Sequence, residues 1–383
     1  MRLTNFDAAS FLQNTWQKQP LLIRNAWDAW SNPLDPDELA GLACEPEINS
    51  RLVMRSADRW EVEQGPLPED RFTQIGDRLW TLLVQSVDHH IPAVAALIEP
   101  FRFIPNWRVD DVMVSYAVDG GGVGAHFDRY DVFLVQGLGR RRWQIGERCD
   151  NATELLRHDE LSLLAKFAPT AEWILEPGDI LYVPPGFAHN GIAVGDDCMT
   201  YSIGFRAPSR NDLIGSWAEH VIGRLDEDDR YSDPELSVQA NPGEITPAAI
   251  ARLQAMVTER MLDPDAFARW FGRYTTSPRD RYIDWHPEEP ISLRELRARI
   301  AQGIPLLRNP ASRFSFIRGE VGALTLFVDG RAYRCCGAAA TFAERVCARD
   351  RLLVEPELLL PEEGLAVILD LVNQGSVAFD AAD

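Results

Sequence analysis

From Asp111 to Arg206 the chain repeats one rhythm: a short β-prone run, then glycine or proline, then another run. The runs read VMVSYAV, VFLVQ, RRRWQI, ILYV and MTYSIGF, separated by strings such as GGGVG, GLG, EPGD and PPG. Short strands at regular spacing with glycine turns predict an all-β barrel or sandwich. Every other feature has to be fitted around that block.

The flanks have a different character. Before the block, Asp7 can cap a short helix that buries Phe11, Leu12 and Trp16 on one face. A strand at Leu21–Arg24 follows, then strand material over 51–63, and Asp88 is placed to cap an apolar helix through Ile98. After Ala207–Pro208 the chain turns helical: Leu213, Trp217 and Val221 share a face, and one helix is predicted from about Pro247 to Phe271. Between them, the span from Glu219 to Glu235 holds seven acidic residues against two arginines. The tail alternates helix and hairpin in the manner of a winged helix. The expected division is therefore 1–207, 208–278 and 290–383.

Composition narrows the function classes. The 383 residues are 46% hydrophobic and 25% charged, as in ordinary globular proteins. No stretch approaches the roughly 18 uncharged apolar residues of a membrane span, and the start has no signal-peptide core. A soluble, cytoplasmic protein is expected. Thirty-eight basic against 58 acidic residues leave a net charge of −20, which excludes a general nucleic-acid binder and favours cationic partners. Residues 291–383 carry 11 Arg and 12 acids, so the winged module is not expected to bind DNA directly. Lys18 and Lys166 are the only lysines, so a single arginine is weak evidence of design. The six cysteines form no CxxC pair and read as reduced, small, buried side chains.

The chemistry concentrates in GGGVGAHFDRYDVF. Alternate strand residues project to one side, so His126 and Asp128 point together. Sixty residues on, His189 follows the PPG turn of EPGDILYVPPGFAHNG. Two imidazoles and one carboxylate form the facial set that leaves open positions on Fe(II). His89, His90, His158, His220 and His286 lie in helical or linker contexts and read as surface residues. Between the two halves, VFLVQGLGRRRWQI reads as a hairpin. Its second strand sets Arg141 and Trp143 on one face and Arg140 and Arg142 on the other. One inward cation near a metal suits the far carboxylate of a dicarboxylate cosubstrate. Ser115, Thr200, Tyr201 and Ser202 offer hydroxyls that could assist.

In this order of parts the chain resembles the cupin/JmjC oxygenases. More narrowly, Met113–Pro208 is similar to the bacterial ribosomal oxygenases, JmjC-type arginyl hydroxylases of large-subunit ribosomal protein sixteen. WQKQPLLIRNAW and the tail extend the resemblance over essentially the whole chain. It implies a mainly β double-stranded β-helix catalytic domain, an α-helical dimerisation region and a C-terminal winged-helix-like module. It implies His126, Asp128 and His189 as Fe(II) ligands, with Arg141 and Ser115 holding 2-oxoglutarate. It further implies O2 as co-reactant, a homodimer and a basic ribosomal protein as substrate. Asp119, Ala125 and Arg129 depart from the family pattern near the mouth and bear on substrate fit. Asp119, Asp131 and Asp226–Asp229 are candidates for attracting the basic substrate, Asp131 foremost. Two alternatives stay open: a JmjC oxygenase acting on histidine or methyl-lysine, and a non-catalytic cupin regulator.

Overall fold

The structure, a computed structural model, describes all residues except Met1, Asp58, Asp77, Glu227 and the stretches 280–282, 356–361 and 381–383. Two compact units emerge, one running to Ala207 with 283–286 and Arg308–Ala311 added, the other formed from Pro208–Arg279, Pro287–Leu307 and the chain from Ser312 onward.

The first unit opens with α1 (Ala8–Asn14), capped as predicted by Asp7, whose carboxylate accepts from the Ala9 and Ser10 amides. Then come β1 (Leu21–Ile23), α2 (Pro36–Leu42), β2 (Ser50–Ser56), β3 (Arg59–Gln64), α3 (Arg71–Gln74) and β4 (Leu79–Val84). The helix expected after Asp88 is absent. In its place are a 3-10 turn at Val87–His89, the single turn α4 (Pro92–Ala95) and a second 3-10 stretch to Phe101. Asp88 is buried and accepts from the Val112 amide, so it ties this segment to the sheet. The His89 side chain is 8% exposed, against the surface position expected for it.

Next come β5 (Val109–Ala117), β6 (Asp131–Arg148), β7 (Ala171–Leu175), β8 (Ile180–Val183) and β9 (Phe187–Phe205). These strands join β1–β4 in a nine-stranded antiparallel sheet ordered β1-β8-β6-β9-β5-β4-β2-β3, with β7 on β6. The hairpin expected at Gly137–Gly139 is not one. β6 runs straight through it and pairs with β9 on both sides, from Asp131↔Phe205 to Arg148↔Phe187. Register shifts around Leu138 absorb the extra residues, and Gly139 takes a positive φ of 57° at the bend. The glycines that suggested a reversal make a bulge because one partner strand spans both halves.

Sheet parity sorts the residues cleanly. One face carries Phe133, Val135, Tyr182, Tyr201, Ile203 and Val114 into the main core with α1 and α2. The other face carries Val132, Leu134, Leu181 and Val183, together with the polar Ser115, Gln136, Arg141 and Thr200. All eight are buried, so this second face is an interior.

The second unit contains α5 (Arg210–Ile222), α6 (Pro247–Met261) and α7 (Pro264–Thr276). The single helix expected over 247–271 is two. Asp263 caps α7 and Pro264 occupies its first turn, where a missing N–H costs nothing. Trp217 and Trp270 are buried with ring centroids 5.3 Å apart, whereas Ile250, Val257 and Leu262 are 54–74% exposed. The module that follows has α8 (Leu293–Ala301), β10 (Leu306–Arg308), β11 (Phe314–Arg318), β12 (Ala323–Val328) and β13 (Arg331–Cys336). It ends with α9 (Ala338–Ala348), β14 (Arg351–Leu352), α10 (Glu362–Asn373) and β15 (Val377–Phe379). Its core is continuous from Leu296 to Val377.

Candidate metal centre and its surroundings

His126, Asp128 and His189 bring one ligand atom each to within 4.8 Å of the others. They are the one set among the described residues that gathers three such groups. Asp128 Oδ2 lies 3.5 Å from His189 Nε2, and the two imidazole centroids are 4.3 Å apart.

The backbone sets this up in a way that strand alternation alone does not describe. His126 forms a single bridge with His189, its amide donating to the His189 carbonyl at 3.0 Å and its carbonyl accepting from the His189 amide at 2.8 Å. Asp128 lies outside any strand. Its carbonyl accepts from the Gly186 amide at 2.7 Å, which pins it to the turn ahead of β9. Upstream, Gly122 lets the loop lie flat on β9, where a Cβ would come within 2.4 Å of the Gly191 carbonyl.

Each imidazole is oriented from behind. His126 Nδ1 is 2.9 Å from the Gly124 carbonyl and His189 Nδ1 is 3.0 Å from that of Phe187. A proton on each Nδ1 leaves both Nε2 atoms as bare lone pairs, the form a metal takes. His189 is 2% exposed, and burial, with His126 adding, pushes its pKa down to about 4. It is therefore neutral near pH 7 and needs to shed no proton to ligate. The neighbouring Tyr130 phenol is pushed well above its ordinary value by desolvation and by the Asp128 charge, so it stays protonated.

The arginine run separates by face. Arg141 is 4% exposed, Arg140 is exposed, and Arg142 is intermediate. The Arg141 guanidinium stands 5.7 Å from the Trp143 ring, which lies 5.9 Å from His189. Arg141 Nη2 is buried with no partner, as are Trp143 Nε1 and Thr81 Oγ1. A buried guanidinium N–H without an acceptor is costly, and a ligand carboxylate would satisfy it. Ser115 is 4% exposed and pairs with Thr200 in the same interior. The donor set and the orphaned cation thus fit an Fe(II) ion and a dicarboxylate.

Three other sequence candidates fall elsewhere. Tyr201 faces the opposite core, donating to Asn32 at 2.9 Å. Asp131 is fully buried and points away from the interior, accepting from Tyr182 at 2.6 Å, Gln17 at 2.8 Å and Arg108 at 2.9 Å. It cannot attract a substrate directly, because strand parity puts it behind the sheet. Asp119 caps the Gly195 amide at 2.7 Å and remains at the surface. Sequence reasoning also missed Cys198 and Gln136. Both lie on the interior face, and Arg141 Nε donates to Cys198 Sγ at 3.3 Å.

Comparison with known proteins agrees with this geometry. Residues 96–213 match the JmjC domain and residues 258–378 match the ROXA-like winged helix. The ribosomal protein uL16 3-hydroxylase of Escherichia coli K12 is 41% identical over 82% of this chain and 83% of its own length. A probable ribosomal oxygenase of Haemophilus influenzae is 35% identical over 70% of this chain and 67% of its own. The crystal structure of the Escherichia coli ribosomal oxygenase YcfD with cobalt and 2-oxoglutarate superposes with a TM-score of 0.86. That pair is 35% identical, and the match covers 99% of each chain. The nine-stranded sheet is accordingly a JmjC double-stranded β-helix, and the tail a winged helix.

Proposed function

Because the chain belongs to the JmjC-domain ribosomal oxygenases, we propose that it hydroxylates the β-carbon of one arginine in ribosomal protein uL16. The chain is an Fe(II)- and 2-oxoglutarate-dependent dioxygenase. The observation that carries the reading is the placing of a 2-His-1-carboxylate set and a buried, unsatisfied arginine in one interior. A regulator has no need of both.

His126, Asp128 and His189 would hold the iron, with His189 delivered neutral and both imidazoles aimed by their backbone acceptors. Arg141 pairs with the distal carboxylate of 2-oxoglutarate, and Ser115 stands on the same face to assist. When bound, the iron and 2-oxoglutarate would supply the oxidising chemistry, with dioxygen as co-reactant. The residues orient the two reagents and keep water out, so that the oxidising power reaches the substrate carbon.

A ribosomal protein is basic, and a chain of net charge −20 attracts it over a range set by the Debye length, about 8 Å at physiological salt. Asp119, Asp226, Asp228 and Asp229 are exposed and suit that purpose. The apolar faces of α5 and α6 suit a second copy of the chain, giving a homodimer in the cytoplasm. The winged module lacks the positive charge that DNA requires. Anaerobic loading with Fe(II) and 2-oxoglutarate, followed by air and recombinant uL16, tests the reading. Tandem mass spectrometry should find one added oxygen on a single arginine. Oxygen on histidine, or demethylated lysine, would reassign the acceptor and leave the oxygenase standing.

A further inference from the structure

Arg141 is the group on which the cosubstrate reading depends, and it is not free to choose its position. Its Nε donates to Cys198 Sγ at 3.3 Å, and both side chains are buried, at 4% and 0% exposure. Nη2, the neighbouring nitrogen of the same planar group, is buried with no partner. One nitrogen of the guanidinium is therefore held by protein while the one beside it is left for a ligand.

The anchor is itself fixed. Cys198 Sγ also lies 3.6 Å from Gln136 Nε2, a longer contact that the amide shares with two carbonyls. Gln136 is held in turn by the carbonyls of Leu138 at 2.7 Å and Met199 at 3.2 Å, while its Oε1 accepts from Thr200 at 3.2 Å. All of these groups sit on strands β6 and β9, which pair throughout this region. Cys198 packs with the small buried residues Ala117 and Ala193.

Resting on the cosubstrate assignment above, we propose that Cys198 is the positioning residue for Arg141, holding its guanidinium ready for the distal carboxylate of 2-oxoglutarate. An arginine side chain carries a large rotamer entropy. If that entropy is removed before binding, the cosubstrate need not supply the ordering, and affinity rises with no new contact. The effect belongs to cosubstrate binding and not to the chemical step. The rival view treats Cys198 as a small filler whose sulfur is incidental.

Three substitutions separate the two views. Cys198→Ser keeps an acceptor, Cys198→Val fills the space without one, and Cys198→Ala does neither. Calorimetric binding of 2-oxoglutarate to the full chain loaded with Mn(II), which does not turn over, reads the effect directly. Cys198→Ala and Cys198→Val should weaken binding about tenfold, the scale of one lost hydrogen bond to a charged group, with Cys198→Ser within about threefold of the parent. In steady state, KM for 2-oxoglutarate should rise in the first two variants, with kcat and KM for the protein substrate unmoved. In the metal-free protein, the Arg141 Nε–H resonance should exchange faster with water in Cys198→Ala than in Cys198→Ser. Parent-like binding in Cys198→Ala, or equal weakening in Cys198→Ser and Cys198→Ala, overturns the proposal. Arg141→Ala run alongside separates the levels: if it binds 2-oxoglutarate as the parent does, the cosubstrate assignment itself has failed.

Discussion

Asp131 offers the sharpest test of how the metal-bearing segment is held. It sits three residues beyond Asp128, is completely buried, and receives hydrogen bonds from Tyr182, Gln17 and Arg108. Trp16 stacks on the Tyr182 ring at 5.6 Å, and Arg108 lies over Trp16 at 5.4 Å, so the carboxylate closes the N-terminal segment onto β6 and β8. Burial pushes this carboxyl above its ordinary value, while the three donors pull it down. Asp131→Ala would leave the Arg108 charge, 13% exposed, facing an emptied site. Breaking a buried ion pair from one side costs about 3–5 kcal/mol. For a unit of this size each kcal/mol moves the midpoint by about 2–4 °C, so the unfolding transition should fall by roughly 6–20 °C. Asp131→Asn keeps the shape and one acceptor oxygen and should cost about half as much. Arg108→Ala combined with Asp131→Ala should cost less than the sum of the two. Urea and thermal unfolding of the full chain provide the measurement. A loss below about 1 kcal/mol in Asp131→Ala, or strict additivity in the double variant, would refute the claim that the pair is coupled and buried.

The remaining predictions address the site and the assembly. His126→Ala and His189→Ala should each abolish Fe(II) binding by equilibrium dialysis and succinate formation, and retention of both activities in either variant contradicts the assignment. Arg141→Ala should raise the 2-oxoglutarate requirement tens- to thousands-fold, from loss of a charged partner worth on the order of 2–5 kcal/mol, while Arg140→Ala has little effect. His189 is depressed from 6.5 to about 4 in the folded state, so the unfolded chain binds the extra proton. Its contribution to stability is therefore lost as pH falls from 6.5 towards 4, and His189→Ala should flatten that part of the metal-free urea profile. Rising salt should raise KM for uL16 and leave kcat alone, because steering acts on encounter. Sedimentation at micromolar concentration should show a dimer, and a monomer there would rule out the use proposed for α5 and α6.

The fold class and the grouping of His126, Asp128 and His189 were both legible, whereas several individual elements were not, for a physical reason. Metal ligands and their turns are local: His126 and Asp128 two apart, His189 after PPG, and Arg141 against Arg140 and Arg142 by strand parity. Readings that needed a distant partner failed. Asp88 looked like a cap and is instead an acceptor for an amide 24 residues away. GLG looked like a reversal, but β9 pairs with both halves and converts it to a bulge. Asp131 looked like a mouth residue until its donors at Gln17 and Tyr182 came into view. Asp263–Pro264 was a readable helix start that the run of apolar residues obscured. Cys198 is the small, buried, reduced side chain expected, but its contact with Arg141 spans 57 residues of chain and is invisible in the sequence.

The bulge at Gly139 also makes β6 tolerant of phase errors. In an ordinary strand, inserting or deleting one residue upstream turns every later side chain to the opposite face. Here the three residues after the bend are all arginines, so a slip in either direction would still present a guanidinium to the interior. Trp143 has no such duplicate: after the same slip, Arg142 or Gln144 would take its place beside His189. The strand can therefore miscount by one and keep its cation, but not the ring that lies near both that cation and His189.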